Sequence, residues 1–265
     1  MLRVVVAMPM LPSTLGQVEL ARRPTAPTAR FYAHHLAWPL LAFALAAAAL
    51  ALFDGDRGWA NRLYAWQGHA WALKSSFVGD TLVYTGGRLL SVTAWLVVLT
   101  LWILTLTRTR LAAWRRPLGY LVLAPITAAL LVVWMKSWTN VDCPWDVVGY
   151  GGTRPYHGLF AMRPAGARGQ CFPAAHASAG YCWLALYFFF VTTRPGLRWL
   201  GIAVPVGLGM LLGLMQQLRG AHFLSHDLWS LAICWLIALG WHAVMFGGRM
   251  PDTDGRTVRD VRTSS

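Results

Sequence analysis

Charged residues are scarce in this sequence. They make up 12% of its 265 residues, and only 10 residues are Asp or Glu. Soluble domains typically carry about 25% charged residues, whereas hydrophobic residues here reach 57% and tryptophan occurs 15 times. This balance argues against an ordinary soluble domain and indicates a membrane protein. The net charge of +13 does not indicate nucleic-acid binding, because the basic residues lie between apolar runs and no nucleic-acid-binding motif occurs.

Cysteine is rare as well, with four residues in the chain. Cys182 and Cys234 fall inside apolar runs, where we expect inert packing residues. Cys143 and Cys171 lie in one polar loop. If that loop faces the periplasm, the sequence allows a disulfide between these two residues.

Six apolar segments reach or approach the length of about 20 residues that a helix needs to span a bilayer. They are 36–53, 89–107, 117–135, 174–193, 199–216 and 228–246. The sequence therefore predicts an all-α, polytopic membrane protein with six transmembrane helices. The first outer loop, 54–88, is rich in aromatic residues and poor in charge, which favours an interfacial helix in the headgroup layer.

The predicted six-helix domain covers residues 36–247. Residues 1–35 contain a short apolar patch but no convincing signal peptide, and we expect them to form a poorly ordered cytoplasmic extension. Residues 248–265 have too little apolar content to fold alone, and we expect a disordered cytoplasmic tail.

Basic residues are distributed unevenly between the two sets of connecting segments. One set holds 14 Lys and Arg residues, and it consists of 1–35, 108–117, 193–199 and 246–265. The opposite set holds 9 over longer loops, and it consists of 54–88, 136–172 and 217–227. Because short basic segments stay in the cytoplasm, both termini are predicted to be cytoplasmic, in a bacterial-type inner membrane, with the second set in the periplasm.

Ionisable residues from three distant parts of the chain are predicted to meet at this outer face. Lys136 lies at the outer end of the third helix, and His176 lies at the outer start of the fourth. The connection between the fifth and sixth helices contributes Arg219, His222, His226 and Asp227. The predicted topology therefore indicates a single periplasm-facing site.

These residue types favour phosphoryl transfer. Lysine and arginine donate hydrogen bonds to anions, and histidine can act as a nucleophile or as a general acid or base near neutral pH. The paired carboxylates of two-metal hydrolysis and the G-x-S-x-G elbow of serine hydrolases are both missing. We therefore predict a reaction that needs no metal and no other cofactor.

Simpler interpretations exist for each residue taken alone. Lys136 could be an anchor whose ammonium extends to the membrane surface, and His176 could be a structural residue at a helix start. His222 and His226 could form half of a metal site, although no further ligands have matching spacing. The other histidines are interpreted as structural or interfacial residues: His34, His35, His69, His157 and His242.

Three segments, KSWTNVDCP, FPAAHAS and RGAHFLSHD, resemble the three sequence blocks of the type 2 phosphatidic acid phosphatases, which are relatives of the vanadium haloperoxidases. The resemblance covers roughly 85–245 and implies a role for each matching residue. Lys136 would bind phosphate, His176 would be the general acid, and His222 would form a phosphohistidine that water then cleaves. Backbone N–H groups of Ala174 and Ala175, at a helix start, would help to hold phosphate oxygens.

The sequence departs from the family pattern in the phosphate ligands. Cys143 occupies the position of the first-block arginine, so the missing ligand would have to come from elsewhere in the same loop. The candidates are Arg154, Arg163 and Arg168. Ala174 replaces a serine of the family pattern and removes a hydroxyl donor.

The third block departs from the pattern as well. Gln216 stands where the family has an arginine, and Arg219 lies only three residues before His222. His226 occupies the position of the family's aspartate and would hold or polarise His222, as that aspartate does. An alternative register makes His226 the nucleophile, with Arg219 seven residues before it.

The resemblance implies a metal-independent lipid phosphatase that acts at the outer leaflet through a phosphohistidine. Its partners would be membrane lipids and a phosphorylated lipid substrate: phosphatidic acid, phosphatidylglycerophosphate, polyprenyl diphosphate or phosphorylated lipid A. Two alternatives remain open. One is a lipid phosphotransferase that uses the same histidine. The other is a non-catalytic lipid-binding or transport protein, since charges inside membranes often mark transport pathways.

Overall fold

The structure is a computed structural model that describes residues 29–162 and 169–247. Within these ranges the chain folds almost entirely into helices. An isolated bridge between Val147 and Arg154 is the one strand-like pairing that they contain. The predicted all-α class is therefore confirmed.

Nine α-helices form in the described ranges. They are α1 (Ala29–Tyr32), α2 (Trp38–Leu52), α3 (Gly55–Trp66), α4 (Gly86–Thr107), α5 (Arg115–Trp138), α6 (Ala175–Tyr181), α7 (Ala185–Thr193), α8 (Leu200–Leu218) and α9 (Leu224–Phe246). π-Helical turns extend the amino ends of α2 and α4, at Ala33–Ala37 and Phe77–Thr85. Short 3₁₀ turns occupy Thr109–Trp114, Pro144–Asp146, Cys182–Leu184 and Pro195–Leu197.

Five continuous helical segments of the described chain are long and apolar enough to cross a bilayer. They are Ala33–Leu52, Phe77–Thr107, Thr109–Trp138, Pro195–Leu218 and Leu224–Phe246. These match five of the six predicted segments. The remaining one, 174–193, is helical in three consecutive pieces, α6, a 3₁₀ turn and α7. The count of six spans therefore stays a prediction.

Helical structure is already present at the first described residues. Residues 29–37 are already helical, and the side chains of Phe31 and His35 are buried. The Trp235 indole donates a hydrogen bond to the His35 carbonyl at 2.7 Å. The end of the predicted N-terminal extension thus packs against the bundle, and the domain boundary at residue 35 stays a prediction. The rest of the predicted extension, 1–28, and the predicted tail, 248–265, lie outside the described residues.

Glycines allow α8 to approach its neighbours closely. A Cβ atom on Gly180 of α6 would lie 2.3 Å from the backbone nitrogen of Gly209 in α8. A Cβ on Gly201 of α8 would lie 2.6 Å from the backbone nitrogen of Tyr187 in α7. Since both distances are far below contact distance, only glycine permits this packing. The close α6–α8 contact sets the start of α6, which carries His176, relative to the end of α8.

Two segments from connections predicted to lie outside cover one end of the bundle, and we call residues 54–76 and 142–160 the roof. Trp71 of the first segment donates to the Tyr150 carbonyl of the second at 3.1 Å. Gln67 donates to the Leu218 carbonyl at 2.9 Å, and the Trp145 N–H donates to the Gly220 carbonyl at 3.0 Å. The three connections predicted to lie outside therefore meet at one end. Helix α3 forms within the predicted interfacial loop, and its position in a headgroup layer stays a prediction.

Candidate active site

Two histidines face each other where α8 turns into α9. His222 precedes α9, and His226 lies in its first turn. Their Nδ1 atoms are 3.4 Å apart, and the residues are only 4% and 1% exposed. A hydrogen bond between two imidazoles needs one donor and one acceptor. One ring therefore supplies an Nδ1 proton, and the other supplies a lone pair.

The turn that carries His222 depends on Gly220. This residue has φ +75°, and a Cβ atom there would lie 2.4 Å from the Trp71 ring. A side chain would be unfavourable on both counts, since positive φ favours glycine and the indole leaves no space. The roof thereby packs directly on the turn beside the histidine pair.

The environment of His222 keeps its imidazole neutral. Burial lowers the pKa of His222 well below its ordinary value of 6.5, and the charges of His226, Lys136 and His176 lower it further. A backbone hydrogen bond with Cys171 opposes this shift. The ring is therefore unprotonated near neutral pH, which is the state that a nucleophile requires.

His176 lies in the first turn of α6, and its ring packs against Tyr84, with 3.8 Å between the ring centroids. The positive charges of Lys136, Arg219 and Arg88 all act on it. Among the described residues, its ring nitrogens have no hydrogen-bond partner. The imidazole is thus available to a ligand in a strongly positive environment.

Lys136 lies in the last turn of α5 and is half-buried. Its charge reaches both His176 and His222. Its ammonium has no ion-pair or hydrogen-bond partner among the residues that the structure describes. Since shielding a charge from water is unfavourable without compensation, this position suits a bound anion.

The charge of Arg219 acts on His176, but its guanidinium is hydrogen-bonded to the roof. Its Nε and Nη2 atoms both donate to the Lys74 carbonyl, at 3.2 and 3.0 Å. Nη1 donates to the Gln216 side chain at 3.4 Å, and the guanidinium lies 5.2 Å from the centroid of the Tyr84 ring. Its charge therefore contributes to the site, while most of its donors serve the protein itself.

The Ala174 N–H, which the resemblance assigns to phosphate binding, has a hydrogen-bond partner within the protein. That N–H donates to the His226 carbonyl at 3.3 Å, so the donor is already engaged. Ser230 reinforces the contact, because its hydroxyl lies 3.1 Å from the Ala174 carbonyl and 3.0 Å from the His226 carbonyl. Ala174 instead ties the start of α6 to the first turn of α9. Ala175 is the first residue of α6, and its contact with phosphate stays a prediction.

The loop that lacks the first-block arginine is closed by a disulfide. Cys143 and Cys171 are bonded, with their Cα atoms 5.2 Å apart. Arg154, one candidate for the missing ligand, pairs with the carboxylate of Asp142 beside the disulfide. The other two candidates, Arg163 and Arg168, lie outside the described residues.

Three residues near the site were not identified from the sequence. Tyr84 and Arg88 lie one helical turn apart, and Asp56 bonds to Ser225 in the first turn of α9. Arg88 lies in the first turn of α4, at an end predicted to lie outside, and a basic residue at that position is a signal that the sequence does contain. Tyr84 and Asp56 carried no comparable signal.

The described residues contain no group of three or more His, Cys, Asp or Glu side chains that could hold a metal ion. No third such ligand joins His222 and His226 there. The arrangement therefore combines a buried histidine pair, a third histidine and three cations at one end of a helical bundle.

A family model described as the PAP2 superfamily matches residues 117–249, which is half of the chain. Lys136, His176 and His222 all fall within this range, whereas Asp56 and Arg88 precede it. No curated protein and no solved structure matches the chain.

Proposed function

The chain belongs to the PAP2 superfamily, and from this premise we propose that it is a metal-independent membrane phosphatase. Its substrate would be a phosphorylated lipid at the outer leaflet. One observation carries the proposal: Lys136, His176 and His222 come from distant parts of the chain, yet each lies within electrostatic reach of the other two. A phosphate group bound to the Lys136 ammonium would meet both imidazoles.

In the first step, a ring nitrogen of His222 attacks phosphorus with its lone pair, and the bond from phosphorus to the lipid oxygen breaks. His176, as imidazolium, donates its proton to that departing oxygen. The phosphate dianion offsets the positive charges of Lys136, Arg88 and Arg219 around His176, which favours its protonated form. General acid catalysis of this kind contributes about 10²- to 10⁴-fold to a rate.

In the second step, water attacks the phosphohistidine. Neutral His176 takes one proton from the water, the P–N bond breaks, and free phosphate and the original His222 are restored. Lys136 and Arg88 hold the non-bridging oxygens, where charge develops in the transition state. Throughout both steps, Nδ1 of His222 keeps its hydrogen bond with Nδ1 of His226, and this bond orients the His222 ring.

The geometry favours His222 over His226 as the nucleophile. The charges of Lys136 and His176 act on His222. The His226 ring makes nearly perpendicular contacts with two phenylalanine rings, with 5.5 Å to the centroid of Phe172 and 5.6 Å to that of Phe223. His226 is thereby suited to hold its neighbour in place, in the position that an aspartate occupies in the resembled family.

Trapping of the covalent intermediate tests the proposal. Purified protein in detergent is incubated with ³²P-labelled phosphatidic acid, phosphatidylglycerophosphate, polyprenyl diphosphate and lipid A phosphate, and then quenched in alkali. We expect a labelled phosphohistidine in the wild type that is lost in His222→Ala, with a rate loss of about 10⁴-fold or more. EDTA should leave the rate unchanged.

His69→Ala is the matched control, since His69 is an exposed histidine of the roof. This variant should form as much labelled phosphohistidine as the wild type. Equal labelling of His222→Ala would contradict the nucleophile assignment. Label that passes into a lipid instead of free phosphate would identify a phosphotransferase. Absence of label with every phospholipid would favour the non-catalytic alternative.

A further inference from the structure

Asp56 joins the roof to the helix that carries His226. It lies in the first turn of α3, and its carboxylate accepts two hydrogen bonds from Ser225. The Ser225 N–H donates to Oδ1 at 2.8 Å, and the Ser225 hydroxyl donates to Oδ2 at 2.6 Å. Because Ser225 lies between His222 and His226 in the sequence, this contact acts directly on the histidine pair.

The first turn of α9 needs such an acceptor. The first N–H groups of a helix have no carbonyl partner within the helix, and the N-cap residue Phe223 has no side-chain acceptor. Asp56 supplies a carboxylate from another helix, where its negative charge also interacts favourably with the helix dipole. Burial raises the pKa of Asp56, and the bonds from Ser225 oppose that rise.

Helix α3 also holds the end of α8. The Trp59 indole, three residues after Asp56, donates to the Gln217 side chain at 2.6 Å. Gln217 in turn donates to the buried carboxylate of Asp227 in α9. Residues three apart on a helix share a face. One face of α3 therefore contacts α8 and α9 on both sides of the turn that carries His222.

We propose that Asp56 is a positioning residue for phosphoryl transfer. By fixing the first turn of α9, it sets the contact between the Nδ1 atoms of His222 and His226 and the direction in which His222 presents its attacking nitrogen. This inference rests on the proposed function. It assigns a role at the site to α3, which precedes the part of the chain that matches the family.

The test compares Asp56→Ala and Asp56→Asn in the full-length protein. Asp56→Ala should lower kcat by about 10- to 100-fold with KM changed by less than about threefold, because displacement of catalytic groups by about 1 Å has effects of this size. Asp56→Asn should retain kcat within about fivefold of wild type, because its amide oxygen still accepts the Ser225 N–H. An equal loss in both variants, or an unchanged kcat in Asp56→Ala, would overturn the proposal.

Asp54→Asn is the matched control. Asp54 is exposed and pairs with Arg57 at the surface, and asparagine tolerates its left-handed backbone, which has φ 50°. This variant should keep the wild-type kcat. Ser225→Ala should add little to Asp56→Ala in a double-mutant cycle, whereas full additivity would show that the two residues act separately.

Hydrogen exchange of the amides at 224–226 gives a readout that does not depend on activity. Exchange should be faster in Asp56→Ala and unchanged in Asp54→Asn. Unchanged exchange in Asp56→Ala would overturn the contact itself. A wild type that shows protected amides but no activity on any phosphorylated lipid would instead overturn the proposed function.

Discussion

The chain contains two pairs of buried histidines, at opposite ends of the helical bundle. His222 and His226 lie under the roof, and His35 and His242 lie at the other end. In each pair, one histidine lies within electrostatic reach of the other. Burial and pairing alone therefore do not distinguish them.

The residues that surround the two histidine pairs differ. His35 Nε2 lies 2.9 Å from the Tyr187 hydroxyl, and His242 Nε2 lies 3.3 Å from the Thr192 hydroxyl. Aromatic rings fill the rest of this environment, with Phe31 stacked on His35 at 4.6 Å and Phe188 at 5.0 Å from His242. Each imidazole thus has a hydroxyl partner at Nε2 and aromatic neighbours around it, as is usual for polar groups in a core, although Nδ1 of His242 has no hydrogen-bond partner among the described residues.

The pair under the roof has cationic neighbours instead. Lys136 acts on His222, and Lys136, Arg88 and Arg219 act on the nearby His176. A cluster of positive charges that are partly shielded from water is energetically unfavourable unless an anion balances it. The cations near His222 and His176, and not the buried histidines as such, therefore distinguish the candidate site from the other end of the bundle.

The largest predicted effect is a loss of kcat that distinguishes one end of the helical bundle from the other. His176→Gln should lower kcat by about 10²- to 10⁴-fold, because it removes the proposed general acid. His242→Gln, at the other end, should keep kcat within about threefold and lower thermal stability, because it disturbs a packed core. Phosphate release and thermal unfolding are measured on both variants. A comparable kcat loss in the two variants would show that the two ends of the bundle do not differ in their importance for catalysis.

A smaller effect should follow from removal of one cation. Arg88→Gln should weaken inhibition by inorganic phosphate about tenfold, since a charge-assisted hydrogen bond contributes roughly 1.5–3 kcal/mol and about 1.4 kcal/mol is tenfold in affinity. Arg62→Gln, on the exposed side of α3, removes the same charge from the roof and should leave phosphate inhibition unchanged. If both variants lost affinity equally, Arg88 would act only through overall charge.

The smallest effect concerns pH. The pKa of His222 is lowered mainly by burial and next by His226. In His226→Asp, a neighbouring carboxylate would favour the imidazolium, so the pKa of His222 should rise. Because attack needs the neutral ring, the acid limb of kcat/KM should move to higher pH. His226→Asn should move it less, and a shift toward lower pH would contradict the nucleophile assignment.

Much of this architecture could be predicted from the sequence. Apolar segments of membrane length indicated the bundle, and hydropathy alone brought Lys136, His176 and His222 to one end. The three sequence blocks indicated the same site by an independent route. Such features are readable because they depend on local composition and on spacing along the chain.

The partners of the polar groups could not be predicted in this way. The Ala174 N–H donates to the His226 carbonyl instead of a ligand. Nε and Nη2 of Arg219 both donate to the Lys74 carbonyl. Asp56 reaches Ser225, which is 169 residues further along the chain. Each of these bonds joins segments whose proximity leaves no periodic pattern in the sequence.

That the chain is apolar and helical, and that cations and histidines gather at one end, follows from composition and hydropathy, which act locally. Which donors remain available to a ligand depends on the packing of the folded chain. Availability depends on whether another part of the chain already satisfies the same hydrogen-bonding group, and only the packing of distant helices fixes that.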